Sequence, residues 1–382
     1  METDADKALL PPGLGDILPP DAALEAAVVE RLLATFAAHG YERVKPPLVE
    51  FEESLLAGAG ADMAGQTFRL MDPVSHRMLA VRADMTPQVA RIAATRLASA
   101  PRPLRLSYAG QVLQVKGSQL RPERQFGQVG AELIGATGAE ADAEVVLVAA
   151  EALREAGVEH LTVDLNLPTL IAALVQGLGL DSELLPRLRS ALDRKDEAAV
   201  ATLALRGAEI IVRLMRSAGP ADRSLPMLLA LDLPDGAQEE RQRLSEVVAL
   251  VRAAAPDLIL TIDPVEHRGF EYHTGVSFTV FARGVRGELG RGGRYDIGKG
   301  ESSTGFTLYT DSLMRALPAT DRRRRLYVPL GASATTAAAL RREGWVTVAG
   351  LAAVADPTAE ARRLGCSHVL LGDGVEAVDP RR

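Results

Sequence analysis

Five short β-like segments follow one another between residues 43 and 134, with turn residues between them and only one helical pattern among them. These segments are residues 43–49, 67–71, 78–81, 104–114 and 126–134. Strands clustered in this way favour an antiparallel sheet over a series of β-α-β units, in which helices would alternate with strands. Helical patterns flank the group over residues 22–39 and 141–155, and Gly40 and Gly157 follow them as stop signals. The predicted fold class is therefore α+β.

A leucine- and alanine-rich stretch over residues 168–256 has helical periodicity broken by glycines and prolines, so it predicts several short helices. Strand patterns return at 258–262 and 276–282, which indicates a helical insertion inside one sheet domain. The arginine run 322–325 is interpreted as a solvated linker. Strands and helices alternate beyond it, so we expect a core domain over 1–320 and a short α/β unit over 326–382.

Charge and cysteine usage exclude several functional classes. The net charge of -7 gives no overall attraction to a polyphosphate backbone, which argues against a broad nucleic-acid surface. Cys366 is the single cysteine, so an internal disulfide is excluded and a buried, small apolar role is expected. The acidic N-terminal residues do not resemble a signal peptide, and no stretch approaches the roughly 20 apolar residues that span a bilayer. We expect a cytoplasmic protein.

Four segments are unlike ordinary core or turn sequence. They are GLGDILPP (13–20), VRADMTPQVAR (81–91), RQFGQVGAELIG (124–135), and RGFEYHTG (268–275) taken together with GRGGRYD (290–296). Each alone has an ordinary explanation, such as a Gly/Pro turn, a charged strand end, or a helix cap at Thr86 with Pro87 in the first turn. Their combination is what indicates function.

The charged residues in these segments suit a zwitterionic ligand. Gln128 and Glu132 are spaced by four, so a strand would point both to one face. Glu132 and Asp84 supply anionic acceptors for an ammonium group or an imidazole N–H, and Arg268 supplies a planar fork for a carboxylate. An amino acid needs that combination. The alternative is that these charges form structural ion pairs with one another.

In this order and separation, the segments resemble histidyl-tRNA synthetase, a class II aminoacyl-tRNA synthetase, over nearly the whole chain from Gly13 onward. The resemblance implies an antiparallel sheet flanked by helices, a helical insertion, and a C-terminal α/β unit similar to a trimmed anticodon-binding domain. It also places Pro47 and Glu50 in a dimer-forming first motif. The histidine-binding residues that it implies are Asp84 and Thr86 for the ammonium group, Gln128 and Glu132 for the ammonium and imidazole groups, Arg268 for the carboxylate, and Tyr272, His273 and Tyr295 for the wall around the side chain.

The resemblance fails at the two arginines with which class II synthetases hold the phosphates of ATP. Gln114 stands at the second-motif position and Ser312 at the third-motif position. The loss of one preorganised cationic donor commonly lowers a rate about a hundredfold or more. The loop over residues 117–123 also departs from the synthetase pattern, with Pro122 where an arginine is usual. We expect neither adenylate formation nor tRNA binding.

A chain that keeps the histidine-binding residues but lacks the two phosphate-clamping arginines resembles the ATP phosphoribosyltransferase regulatory subunits, a family of synthetase paralogues. The segment VRADMTPQVARIA, residues 81–93, is close to the typical sequence of that family. The resemblance implies a non-catalytic partner of a short-form catalytic subunit in histidine biosynthesis. It implies activation of that subunit, histidine as an allosteric feedback inhibitor, and a homodimer within a hetero-oligomer, expected to be a hetero-octamer. No metal or cofactor is implied.

Two other functions stay open at this point. An active histidyl-tRNA synthetase with a reduced tail is one, and Gln114 and Ser312 argue against it. An RNA-binding protein that reuses a synthetase fold is the other, and the acidic charge balance argues against it.

Overall fold

The computed structural model describes residues 9–118, 121–203, 207–267, 272–298, 300–318, 324–372 and 374–379. The chain divides into two compact units, Met1–Pro318 and Ala319–Arg382. Each buried apolar cluster lies wholly inside one unit or the other. In chain order, the elements of the first unit are α1 (Asp21–Ala38), β1 (Glu42–Arg43), β2 (Val49–Phe51), α2 (Glu52–Leu55), a 3-10 helix (Gly58–Gln66), β3 (Arg69–Met71), β4 (Met78–Val81), α3 (Thr86–Thr95), β5 (Leu104–Leu113), β6 (Gln125–Ile134), α4 (Ala139–Ala156), β7 (Leu161–Asn166), α5 (Leu170–Gly177), a 3-10 helix (Ser182–Leu184), α6 (Leu185–Asp193), α7 (Glu197–Leu203), α8 (Ala208–Ser217), β8 (Gly219–Pro220), α9 (Ala221–Leu229), α10 (Asp235–Ala254), β9 (Ile259–Asp263), β10 (His273–Ala282), β11 (Gly290–Asp296), β12 (Ser302–Tyr309) and α11 (Thr310–Ala316).

A nine-stranded sheet runs through the first unit in the order β1-β5-β6-β12-β11-β10-β7-β9-β8. Neighbouring strands are antiparallel except for the pairs β1–β5 and β7–β9, which are parallel. The predicted α+β class, built on a largely antiparallel sheet, is confirmed.

The helical insertion follows from the parallel pairing of β7 with β9, because two parallel strands need a long crossover between them. Helices α5–α10 provide that crossover. Helix α10 packs against α4 and α5 through an apolar stripe that contains Leu244, Val247 and Val251. The stretch 168–256 is thus mainly helical, with the two-residue strand β8 inside it.

Helix α1 covers one face of the sheet. Its residues Val28, Leu32 and Phe36 recur at helical spacing and are all buried. The ring of Phe36 meets Phe306 of β12 edge to face, with 5.3 Å between the ring centroids. Because side chains alternate along a strand, Gly305 and Thr307 face the other side of the sheet. That opposite face carries the candidate site.

The predicted strand over residues 43–49 is wrong. The structure has two separate short strands there: β1 pairs in parallel with β5, and β2 joins β4 and β3 in a small three-stranded sheet. Pro46 and Pro47 lie between them. Neither proline can donate a ladder hydrogen bond, so a continuous strand cannot pass through this point.

The second unit is a small α/β fold with a four-stranded sheet in the order β14-β13-β15-β16. Its elements are β13 (Arg325–Val328), α12 (Ala334–Arg342), β14 (Val346–Ala349), α13 (Pro357–Arg363), β15 (His368–Leu371) and β16 (Gly374–Ala377). Cys366 is buried in its core beside Val369, as the sequence predicted. In neither unit do the described helices include one long and apolar enough to cross a bilayer.

Candidate functional site

The candidate site is a cavity over strands β6, β12 and β11, on the sheet face away from α1. The residues that line it are Asp84, Thr86, Glu132, Tyr272, His273, Arg291, Gly292, Gly293, Tyr295, Gly305, Phe306, Thr307 and Tyr309. Six of the eight sequence-predicted histidine-binding residues are in this group.

Glu132 lies at the bottom of the cavity and is almost completely buried, with 1% exposure. Its Oε2 accepts hydrogen bonds from the hydroxyls of Tyr295, at 2.9 Å, and Ser303, at 3.4 Å. Its Oε1 accepts from Thr86 Oγ1 at 3.3 Å and from the Tyr108 hydroxyl at 3.4 Å. The carboxyl group is therefore held in place by hydroxyl groups.

The pKa of Glu132 is raised to about 8, chiefly by burial. The hydrogen bond from Tyr295 lowers this pKa, and the nearby negative charge of Asp84 raises it. A cationic ligand would reverse this balance, because an opposite charge favours the ionised carboxylate. The site is thus electrostatically suited to an ammonium or imidazolium group.

A second acidic group enters from the segment before α3. Asp84 Oδ1 accepts from the Thr86 backbone N–H at 2.7 Å, and Oδ2 accepts from Gln128 Nε2 at 3.1 Å. The Gln128 Oε1 in turn accepts from the Met85 backbone N–H at 2.9 Å. Gln128 therefore holds Asp84 and the start of α3 in position from its place on β6, although it does not line the cavity itself.

The aromatic wall is formed by the residues that the sequence predicted for it. The rings of Tyr272 and His273 lie 4.2 Å apart between centroids, and those of Tyr272 and Tyr295 meet edge to face at 5.7 Å. His273 and Tyr295 are opposite each other in the pairing of β10 with β11. These rings line the cavity together with Glu132.

The structure adds residues that the sequence analysis missed, among them Arg291, Thr307 and Tyr309. Arg291 lies in GRGGRYD and is spaced by four from Tyr295, so the alternation of a strand would have placed both side chains on one face. Arg268, the predicted carboxylate contact, lies outside the described residues.

The alternative of mutual ion pairing involves Arg268, which lies outside the described residues. Glu132 is bonded by hydroxyls and Asp84 by amide groups, while Arg291 pairs with Glu288 at 2.6 Å. In the described part of the chain no arginine or lysine forms an ion pair with Glu132 or Asp84.

Outside the cavity, the described residues include one group of side chains of the kinds that bind metal ions. Ligand atoms of Asp193, Glu266 and His267 lie within 4.8 Å of one another, and all three residues are partly exposed. His267 Nε2 is 3.6 Å from Asp193 Oδ1, within the distance of an ion pair.

Comparisons with known proteins show which family the chain belongs to. The family model described as histidyl-tRNA synthetase matches residues 13–313. A protein of Paramagnetospirillum magneticum named ATP phosphoribosyltransferase regulatory subunit is 58% identical over 379 residues, covering 99% of this chain and 100% of that protein. A protein of the same name from Rhodospirillum centenum is 59% identical over 375 residues, covering 98% and 97%. The chain belongs to the ATP phosphoribosyltransferase regulatory subunit family. By family it is a regulatory subunit and not a catalytic one.

Solved structures show that this regulatory subunit family member has the class II synthetase fold. A Bacillus halodurans structure described as an ATP phosphoribosyltransferase regulatory subunit/histidyl-tRNA synthetase matches with a TM-score of 0.81 at 24% identity, covering 93% of this chain and 96% of that one. The histidyl-tRNA synthetase of Nostoc sp. PCC 7120 matches with a TM-score of 0.79 at 19% identity, covering 95% and 91%. The predicted class II fold is confirmed.

Gln114 and Ser312, the residues predicted to stand where synthetases have phosphate-clamping arginines, make structural contacts in this regulatory subunit family member. Gln114 Nε2 donates to the Ala83 carbonyl at 3.3 Å. Ser312 is buried, and its hydroxyl accepts from Arg121 Nη2 at 3.4 Å. Arg121 also bonds Asp311 at 3.2 Å, and its guanidinium lies 3.7 Å from the ring centroid of Tyr309. Arg121, from the loop 117–123, therefore packs over Ser312 and the ring of Tyr309.

Proposed function

We propose that this protein binds histidine in the cavity over β6, β12 and β11, activates a short-form ATP phosphoribosyltransferase catalytic subunit, and makes that subunit sensitive to feedback inhibition by histidine. The observation that carries the proposal is the pair of acids, Asp84 and Glu132, in an aromatic cavity whose neighbouring phosphate-clamp positions hold Gln114 and Ser312. The full binding set in this proposal is Asp84, Thr86, Gln128, Glu132, Arg268, Tyr272, His273 and Tyr295.

The chemistry of the cavity supports an amino-acid ligand with a second basic group. Asp84 and Thr86 are positioned to accept from the α-ammonium group, while Glu132 and the ring of Tyr295 lie deeper and suit the imidazole. A carboxyl group that carries a proton at neutral pH loses it readily to solvent when a cation arrives, so the ligand gains a charge-assisted hydrogen bond.

In this proposal, histidine regulates the complex because it binds the inhibited and the active states with different affinities. If histidine binds the inhibited state of the complex more tightly than the active state, it shifts the population toward inhibition. Thermodynamic reciprocity then requires that ligands of the catalytic subunit alter histidine affinity by the same factor. The proposed assembly is a homodimer of this chain within a hetero-octamer, with residues 326–382 as a reduced anticodon-binding-like domain.

The test is reconstitution with a short-form catalytic subunit. Phosphoribosyl-ATP formation is measured for that subunit alone, after mixing with this protein, and with added histidine. We expect a higher turnover after mixing and inhibition by histidine only in the mixture. In Glu132→Gln, histidine inhibition should weaken by about one to two orders of magnitude while activation remains, because one charge-assisted hydrogen bond is worth roughly 1.5–3 kcal/mol.

Glu159→Gln is a matched control, since it makes the same change at an exposed position away from the cavity. Unchanged turnover on mixing, without a shared peak on size exclusion, would remove the regulatory proposal. Inhibition that survives unchanged in a well-folded Glu132→Gln variant would place the histidine site elsewhere.

A further inference from the structure

Tyr309 belongs to the end of the proposed histidine cavity that is away from Glu132. Its side chain lines the cavity and is 7% exposed. In the register of β12 with β6, Gly305 is opposite Glu132. Tyr309 comes four residues later on the same face of β12, opposite Gln128. It therefore lies about 13 Å along the strand from the Glu132 row, near the place where Gln128 bonds Asp84.

The ring of Tyr309 is held by two side chains that precede it in the sheet. The guanidinium carbon of Arg121 lies 3.7 Å from the centroid of the Tyr309 ring, and Phe126 meets that ring edge to face at 5.9 Å. The same guanidinium carbon is 4.8 Å from the centroid of Phe126. Neither Arg121 nor Phe126 is among the described residues that line the cavity. Their contacts can therefore affect a ligand only through Tyr309.

Arg121 is fixed over this ring by acceptors at the start of α11. Its Nε donates to Asp311 Oδ2 at 3.2 Å, and its Nη2 donates to Ser312 Oγ at 3.4 Å. The side chains of Arg121 and Asp311 are 16% and 13% exposed, so the pair is largely shielded from water. A shielded cation over an aromatic face attracts the ring more strongly than an exposed one. This contact is therefore suited to fix the orientation of the Tyr309 ring.

Arg315 contacts the same two acceptors from α11. Its Nη2 donates to Asp311 Oδ2 at 3.3 Å and to Ser312 Oγ at 3.1 Å. Among the described residues, the guanidinium over the Tyr309 ring is that of Arg121. If Arg121 is removed, Asp311 keeps Arg315 as its partner, so its charge is not left unpaired. The ring contact can therefore be tested separately from the ion pair.

We propose that Arg121 is a positioning residue for the ligand of this cavity: it holds the Tyr309 ring in the cavity wall and does not touch the ligand itself. This inference rests on the proposed function, since it adds a residue that acts on the same histidine site. Without the contact, the Tyr309 side chain spends part of its time in other rotamers. The apparent dissociation constant then rises in inverse proportion to the fraction of molecules in which the wall is formed.

The test measures histidine affinity by calorimetry for the full chain, alone and in complex with a short-form catalytic subunit, with the catalytic subunit alone as background. Arg121→Met should weaken histidine binding about three- to thirtyfold, the factor that corresponds to one cation–π contact. Arg121→Lys keeps the charge but has no planar group to stack on the ring, so it should restore part of the affinity. Arg315→Met is the matched control, since it removes a bond to the same two acceptors and leaves the ring contact in place. It should bind histidine as the wild-type protein does.

A double-mutant cycle with Tyr309→Leu shows whether Arg121 acts through the ring. Tyr309→Leu removes the ring on which Arg121 packs, so Arg121→Met should cause no further loss of histidine affinity in that background. Urea denaturation of each variant verifies that it is folded under the assay conditions. If Arg121→Met is not folded, Arg121→Lys is compared with Arg315→Lys in its place, because both keep the charge, and the larger loss is expected in Arg121→Lys.

The outcomes separate the two proposals. Wild-type affinity in Arg121→Met, or an equal loss in Arg315→Met, overturns the positioning role of Arg121. A loss from Arg121→Met that is as large in the Tyr309→Leu background as in the wild-type protein overturns it as well. If Glu132→Gln still weakens histidine binding in those cases, the proposed function stands. If neither the wild-type chain nor its complex binds histidine above background, the histidine site itself is refuted, and the role of Arg121 with it.

Discussion

Tyr295 and Glu132 are joined by a hydrogen bond of 2.9 Å although their strands are not neighbours, because β12 runs between β11 and β6. The residue that the bond passes over is Gly305, which pairs with Glu132 on one side and Gly293 on the other. A Cβ atom at Gly305 would lie 1.8 Å from Glu132 Oε2 and 2.7 Å from the Ala131 carbonyl oxygen. The Glu132 carboxyl group can lie at the bottom of the cavity because position 305 has no side chain.

Gly305→Ala should therefore displace the Glu132 carboxyl group and break its bond to Tyr295. We expect histidine inhibition of the reconstituted complex to be lost, with a decrease in the free energy of unfolding of about 1–3 kcal/mol from overpacking. Inhibition assays and urea denaturation measure the two effects. Gly15→Ala is the control, since an added Cβ there meets no atom within 4 Å. Unaltered inhibition in Gly305→Ala would mean that Glu132 does not hold the ligand.

The pH dependence of stability should report the buried Glu132. Its pKa is raised from 4.5 to about 8 by burial and by Asp84, with the Tyr295 hydrogen bond opposing, and the hydroxyls of Tyr108, Tyr272 and Tyr295 also face it. The folded protein then binds more protons than the unfolded chain between these values. The stabilising contribution is complete below pH 4.5 and is lost as the pH rises toward 8.

Glu132→Gln removes this titration. The stability of the variant relative to wild type should therefore increase steadily from pH 5 to pH 8.5, as measured by urea midpoints of both proteins in parallel. A difference between the two proteins that stays constant over this range would show that Glu132 is ionised throughout.

The sequence predicted most of the fold because its periodicities are local. The apolar stripe of α1 and the turn residues that bound the segments of β5 and β6 need no knowledge of distant residues. The pairing of β7 with β9 is not local, since the whole insertion lies between them. The return of strand patterns after residue 256 indicated only that the insertion interrupts one sheet domain. The strand β16 was missed because Gly374–Ala377 is short and largely exposed, so it lacks an apolar pattern.

The site was predicted where motif residues carry it and missed where packing creates it. Asp84, Glu132 and Tyr295 lie in recognisable segments, and the structure brings them together. Arg291 has no counterpart in the motif residues that were carried over, and Tyr108 looks like an ordinary strand aromatic in sequence. Its hydroxyl is buried against Glu132 and Thr307 only because β5, β6 and β12 are adjacent.

Adenylate formation should be absent. On the resemblance to the synthetases, Gln114 and Ser312 are predicted to stand in place of the phosphate-clamping arginines, and Arg121 is engaged with Asp311 and the ring of Tyr309. Since each missing cationic donor lowers such a rate about a hundredfold or more, the losses together should place exchange below detection. Histidine-dependent exchange of pyrophosphate into ATP is the measurement, with an active histidyl-tRNA synthetase as the positive control. A rate near that of the control would contradict the regulatory assignment.

The last prediction concerns the buried pair that anchors β11 beside the cavity. Arg294 Nη2 lies 2.7 Å from Asp142 Oδ1, and the same guanidinium donates to the carbonyls of Ala136, at 2.8 Å, and Gly138, at 3.0 Å. Burial raises the pKa of Asp142 although Arg294 lowers it, so the desolvation of this carboxylate outweighs the attraction of its partner. The pair holds the residue before Tyr295, and through it the position of the Tyr295 hydroxyl.

Removing one partner of this pair should destabilise the folded protein by more than the intact pair stabilises it. We expect Arg294→Met and Asp142→Leu each to lower the free energy of unfolding by about 3–5 kcal/mol, because each leaves a buried charge without its nearer partner. Arg243 also pairs with Asp142, at 3.5 Å, and stays in all the variants. The double variant removes both charges and should lose clearly less than the sum of the two single losses. Urea denaturation of all four proteins completes the cycle. Strictly additive losses would show that Arg294 acts through its bonds to the carbonyls before α4, and that Asp142 contributes nothing to its placement.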